Sequence, residues 1–137
     1  MLIGLDLGEK RVGVALCDEQ TGIATPLKTV TFHSRKKMAE ELGKLVEEYQ
    51  ASKIVVGLPR TLKGEIGPAA QKVIDWVEDL KSKIGCSWVF WDERLSSQEV
   101  ERVLLAADVS REKRKLVRDQ LAAQRILQSY VDAQDKN

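Results

Sequence analysis

Residues 2–8, LIGLDLG, alternate with a period of two: Ile3, Leu5 and Leu7 share one side, and Gly4, Asp6 and Gly8 share the other. A turn at GEK follows, and the alternation resumes in RVGVALC. There Val12, Val14 and Leu16 interleave with Arg11, Gly13 and Ala15. Two strands in close succession predict a hairpin at the head of a sheet. They also pose a problem. A buried, unpaired charge is expensive, so Asp6 needs a compensating partner or access to water.

A third strand is predicted within residues 24–32. The period then changes. Met38, Leu42, Leu45, Val46 and Tyr49 fall at helical spacing, with Ser34 placed to cap the helix. SKIVVGLP reads as a short β-branched strand, and the loop RTLKGEIGP follows it. After Pro68, a good first helical residue, Val73, Val77, Leu80 and Ile84 mark a second helix. CSWVFWDE is the fifth strand. Ser96 and Glu99 have capping-box spacing ahead of Val100, Val103, Leu104 and Ala107. The basic run REKRK reads as a link to a last helix near residues 116–131. Crossover helices would bring the fourth and fifth strands beside the first. The fold class is therefore α/β: a mixed five-stranded sheet with helices on both faces. At 137 residues, 43% of them hydrophobic, the chain is expected to form a single domain over 1–137.

The formal net charge is only +1, so any nucleic-acid surface must be a local patch. Cys17 and Cys86 form no ligand or redox motif, as in a reducing compartment. No apolar run approaches the about 18 residues of a membrane span, and the first residues lack signal-peptide architecture. The expected location is the cytoplasm, without membrane association.

Three acids stand out. Asp6 lies on a central strand, Glu93 just beyond the fifth strand, and Asp119 on the last helix. At about 100° per residue, Asp119 begins the stripe of Ala122, Ala123, Ile126 and Tyr130. Open α/β sheets place ligand sites outside the carboxyl ends of their strands. Carboxylates gathered there raise one another's pKa, and Mg²⁺ or Mn²⁺, which prefer oxygen ligands, would reverse that penalty. Two such ions about 4 Å apart activate water and stabilise the departing oxygen of a phosphodiester. Each acid also has a plainer role available. Asp6 could bond nearby amides, Glu93 could pair with Arg94 or Lys10, and Asp119 could favour a helix N-terminus.

Cations accompany the acids. Arg11 extends from the second strand on the Gly13 side, and its planar fork suits bidentate phosphate binding. Arg94 could bind phosphate or orient Glu93. Arg60 and Lys63 lie in the loop at 60–67. Arg111, Lys113, Arg114, Lys115 and Arg118 cluster just before Asp119, where they could guide a backbone or simply be solvated. Trp76, Trp88, Phe90 and Trp91 read as packing residues, and His33 as a surface residue.

GLDLGEKRVGVA, VVGLP, DERLSS and RDQLAAQRIL, in that order, resemble the bacterial YqgF family over nearly the whole chain. Its members are described as Holliday junction resolvase-like proteins or candidate pre-16S rRNA nucleases. The resemblance implies an RNase H-like fold with strand order 3-2-1-4-5. It implies Asp6, Glu93 and Asp119 as catalytic, metal-binding residues. It implies processing near the 5′ end of 16S rRNA, with pre-16S rRNA or a ribosomal precursor as partner, or nuclease action on branched DNA. The loop GLPRTLKGEIG departs from the family's usual NMDG form, with Lys63 where an acid is common, which bears on substrate detail. DERLSS has serines in place of threonines and keeps the hydroxyls.

Other readings stay open. A non-catalytic rRNA-binding assembly factor would use the basic cluster alone. Junction resolution needs two coordinated cuts, most simply by a symmetric dimer. No dimer seam is evident, so a monomer or weak homodimer is expected. GLDLG also suits the phosphate loop of a sugar-kinase or actin-like ATPase, but no second phosphate motif appears.

Overall fold

The two alternating segments at the head of the chain form β1 (Leu2–Leu7) and β2 (Arg11–Asp18), antiparallel, with Gly4 opposite Ala15 and Asp6 opposite Gly13. In the computed structural model, which describes residues 1–93 and 111–135, the remaining elements are β3 (Ile23–Thr31), α1 (Arg35–Tyr49), β4 (Lys53–Leu58), α2 (Pro68–Lys81), β5 (Ser87–Asp92) and α3 (Arg111–Asp135). The five strands form one sheet in the order β3-β2-β1-β4-β5. β3 pairs antiparallel with β2, while β4 runs parallel to both β1 and β5. This is the RNase H-like order.

The alternation dictates two cores. Ile3, Leu5, Val12, Val14, Ile54 and Val56 face α1 and α2, meeting Met38, Leu42, Val73, Val77 and Leu80. The opposite face carries smaller residues. Ala15, Cys17 and Val55 pack there against Ala123, Ile126, Leu127 and Tyr130 of α3. Small side chains let the helix approach closely: a Cβ on Gly4 would lie 3.0 Å from the Ala123 carbonyl oxygen and 2.8 Å from Leu127 Cβ. The helix ends follow local chemistry. Ser34 Oγ accepts from Lys37 N–H at 3.1 Å, and Pro68 occupies the first turn of α2.

One boundary differs from the sequence reading. The run REKRK is not a link: α3 begins at Arg111 and takes it in. Arg, Lys and Glu are good helix formers, but a run of charges has no apolar period to announce a helix. Ser96 and Glu99, with the helical pattern after them, lie outside the described residues.

Candidate active site

Asp6 is near the carboxyl end of β1, on the face covered by α3, and is only partly exposed. Its neighbours across the sheet are small. Gly13 of β2 is its register partner, and Gly57 of β4 follows the pair Leu5–Val56. Both glycines are required by what sits on them. A Cβ at Gly13 would run into the Asp119 carbonyl, and one at Gly57 would run into Glu93 Oε2 and Ile126 Cδ1. The space left by two absent side chains is thus occupied by two of the three acids: the backbone of one and the carboxyl of the other.

Glu93 follows β5 directly, and its N–H donates to the Leu58 carbonyl at 3.3 Å. That bond extends the β4–β5 pairing by one step and aims the side chain over Gly57 towards Asp6. The two carboxyls share a hydrogen bond. Burial, foremost, pushes Asp6 up to about 6, and the charge of Asp119 adds to the rise, while the bond from Glu93 and the charge of Arg118 pull it down. Glu93 is pushed up to about 8 by burial first, then by the charge of Asp6, the hydrogen bond to it, and the charge of Asp92. The pair therefore resists losing both of its protons, and the carboxyl that gives one up first is stabilised by the bond from the other.

The third acid is held differently. The Asp119 carbonyl rests on Gly13, and its side chain accepts from Arg11 Nε at 2.9 Å, with side-chain exposures of 25% for Arg11 and 18% for Asp119. Among the described residues, no three acid, histidine or cysteine side chains stand together as a ready metal cluster. The arrangement explains this: Asp6 and Glu93 are joined, and Asp119 is turned to Arg11. The donor set nonetheless suits a hard divalent cation. Two carboxyl groups are held close enough that they would repel one another once both ionise, and a third acid is near enough for its charge to be felt at Asp6.

The other expected site residues are spread more widely. Arg60 and Lys63 are exposed on the loop between β4 and α2. That loop is tied to itself, with Thr61 N–H donating to the Glu65 carbonyl at 3.0 Å and Arg60 Nη1 to the Gly64 carbonyl at 3.3 Å. Lys113 is exposed on the first turn of α3. Arg118 lies close enough to Asp6 for its charge to act there, so it belongs to the acidic centre as much as to the basic run. Arg94 lies outside the described residues, as do the side chains of Arg111, Arg114 and Lys115. The aromatic residues pack. Trp91 donates to Ser129 Oγ at 3.0 Å and meets Tyr130 edge-on, and Phe32 meets Trp76 in the same way. His33 is exposed.

Three features escaped the sequence reading. Asp92 adds its charge to the load on Glu93, and its place beside Glu93 in the same motif was the available signal. Gly57 interrupts a β-branched run, a mark of close approach by another group. Leu62, 95% exposed at the tip of the loop, had no signal at all.

A family model described as RuvX, Holliday junction resolvase, matches residues 1–133. The chain belongs to the YqgF/RuvX family. Curated relatives align almost end to end. The "Putative pre-16S rRNA nuclease" of Thermoanaerobacter pseudethanolicus is 46% identical over 134 residues, covering 97% of this chain and 96% of the relative. The protein of the same name from Clostridioides difficile is 48% identical over 131 residues, covering 96% and 93%. Among solved structures, T. thermophilus RuvC in complex with Holliday junction substrate superposes with a TM-score of 0.59 at 13% identity, covering 99% of this chain and 96% of that one. At that identity the likeness concerns the fold. No helix among the described residues is long and apolar enough to cross a membrane.

Proposed function

We propose that this YqgF/RuvX-family chain is a metal-dependent endonuclease that hydrolyses phosphodiester bonds in the 5′ leader of pre-16S rRNA. The observation that carries the reading is the hydrogen-bonded pair of Asp6 and Glu93, set over Gly57 and within reach of the Asp119 charge. A protein that needed these acids only for packing would gain nothing from pressing two carboxyls together where both resist ionising. The near-full-length likeness to proteins named as pre-16S rRNA nucleases supports the choice of RNA.

Asp6, Glu93 and Asp119 would hold Mg²⁺ or Mn²⁺, whose chemistry there is to acidify an attacking water and to offset charge on the leaving oxygen. The chain's own contributions are separate. The Asp6–Glu93 pair gives up its shared proton, so that both carboxyls become acceptors. Gly13 and Gly57 keep the floor low enough for the acids to meet. Arg11 supplies a cation at the edge of the acids for the scissile phosphate. Arg60, Lys63, Lys113 and Arg118, with Arg94, Arg111, Arg114 and Lys115 in the motifs around them, draw in the flanking backbone.

The test supplies purified protein, with Mg²⁺ or Mn²⁺, with two labelled substrates: a pre-16S 5′-leader RNA and a four-way DNA junction. Discrete cuts in the leader, with the junction left intact, are expected. Paired symmetric cuts in the junction alone would transfer the same chemistry to branched DNA and would require a dimer. Tight RNA binding without cleavage in either metal would leave a non-catalytic assembly role.

A further inference from the structure

The pairing of Arg11 with Asp119 leaves a question that the nuclease reading does not answer. A phosphate-binding arginine and a metal-binding aspartate are bound to each other. Only one atom of the guanidinium is used: Nε donates to Asp119 Oδ2 at 2.9 Å. The two terminal nitrogens have no partner among the described residues, and the side chain retains 25% of its exposure. The free half of the group is the fork that grips phosphate oxygens in pairs. On the other side of the bond, the Asp119 backbone cannot move far, because its carbonyl sits against Gly13 where even a methyl group would clash. Its carboxylate can change partner only by rotating about its side-chain bonds.

We propose that Arg11 is an exchangeable counter-ion, a positioning residue that neutralises Asp119 while no metal is bound and passes to the substrate phosphate when a divalent cation claims the carboxylate. The proposal rests on the metal-dependent reading of the site and adds the order of events there. Without metal, three acids share a confined space, and one is covered by an internal cation. With metal, the cation charge becomes available for phosphate. Arg11 and the metal therefore compete for Asp119, while Arg11 and the metal assist each other towards a nucleic-acid backbone. A purely structural ion pair, fastening α3 to β2, would show neither relation.

The two relations have opposite signs, so one substitution separates them. Mn²⁺ binding is measured by electron paramagnetic resonance at pH 8, without nucleic acid, for the wild type, Arg11→Ala and Arg11→Gln. The Gln variant keeps most of the side chain in case the shorter one does not fold. Removing a partly exposed competing cation should tighten Mn²⁺ binding by about three- to fivefold. The gain should vanish when Asp119→Asn is already present. In parallel, affinity for a short single-stranded RNA oligonucleotide that the wild type leaves uncut over the measurement, in Mn²⁺, should fall in both Arg11 variants, and Arg11→Lys should recover part of it. Mn²⁺ affinity unchanged or weaker in both Arg11 variants would overturn the exchange and leave Arg11 as a fastener. A wild type that binds no Mn²⁺ would remove the metal-dependent reading itself, and the exchange with it.

Discussion

At the residue scale, most of the proposed chemistry follows from the closeness of two buried carboxyls, Asp6 and Glu93. Both acids are raised, Asp6 to about 6 and Glu93 to about 8, and burial is the leading cause for each. The folded protein therefore binds more protons than the unfolded chain between the ordinary carboxylate range and about pH 8. Wherever that holds, stability falls as pH rises. Without metal, the melting temperature should drop between pH 5.5 and 8.5, by about 5 °C or more. Replacing Asp6 by Asn should flatten the slope and raise the melting point at the alkaline end, since the amide has no charge to desolvate. Added Mn²⁺ should stabilise the wild type more at pH 8 than at pH 5.5, because the shared proton must leave before both carboxyls can accept a cation. Differential scanning fluorimetry at several pH values reads all three effects. A melting point that rises steadily towards pH 8.5 would mean that the two acids are not raised.

At the scale of elements, the site depends on α3 lying nearly in contact with β1 and β2. Gly13→Ala is expected to cost about 1–3 kcal/mol by overpacking. It should also reduce activity more than stability alone explains, because the added methyl lifts the Asp119 turn. Calorimetry and a cleavage rate on the same preparation separate the two; a variant that melts and cuts like the wild type would show that α3 is not seated on Gly13. The strand part of this arrangement was legible in the sequence. A period of two assigns Asp6 and Gly13 to one face, and the alternation of strands with helices leads to the crossovers. The helix part was less legible. REKRK carries no apolar period, so the start of α3 was hidden. Nothing local to Arg11 reveals a partner 108 residues away. Nor does the sequence disclose that Gln128 reaches the free edge of β3, where its Oε1 accepts from the Ala24 N–H at 2.8 Å and its Nε2 donates to the Gly22 carbonyl at 2.9 Å. Long-range polar pairings of this kind depend on how the helix settles on the sheet, and that has no periodic signature.

For the whole molecule, the net charge of +1 conceals a division of labour. Acids are gathered at the carboxyl ends of β1 and β5, while Arg60 and Lys63 stand exposed on the loop after β4 and Lys113 stands exposed on the first turn of α3. On the proposed function, such a surface would bind a polyanion through local contacts, so affinity should fall as salt rises even though the protein is nearly neutral. For a single-stranded RNA, Lys113→Ala should lower the slope of log affinity against log salt by about 0.7. The loss should be similar across unrelated sequences, as expected of a phosphate contact. An unchanged slope would remove the start of α3 from the interface. Identity to the relatives extends over nearly the full chain, and the proposed site draws on its first strand, the end of its fifth strand and its last helix together.

The most direct test of the central claim is the single-turnover cleavage rate of Asp6→Asn relative to wild type, on the leader RNA with saturating Mn²⁺. The change removes one charge and almost no volume. The account predicts a rate at least about a thousandfold lower, of the size seen when a group acting in the transition state is lost, in a protein that melts no lower than the wild type. A folded Asp6→Asn protein that cuts the leader at or near the wild-type rate would contradict it, because the carboxyl pair would then have no part in the reaction.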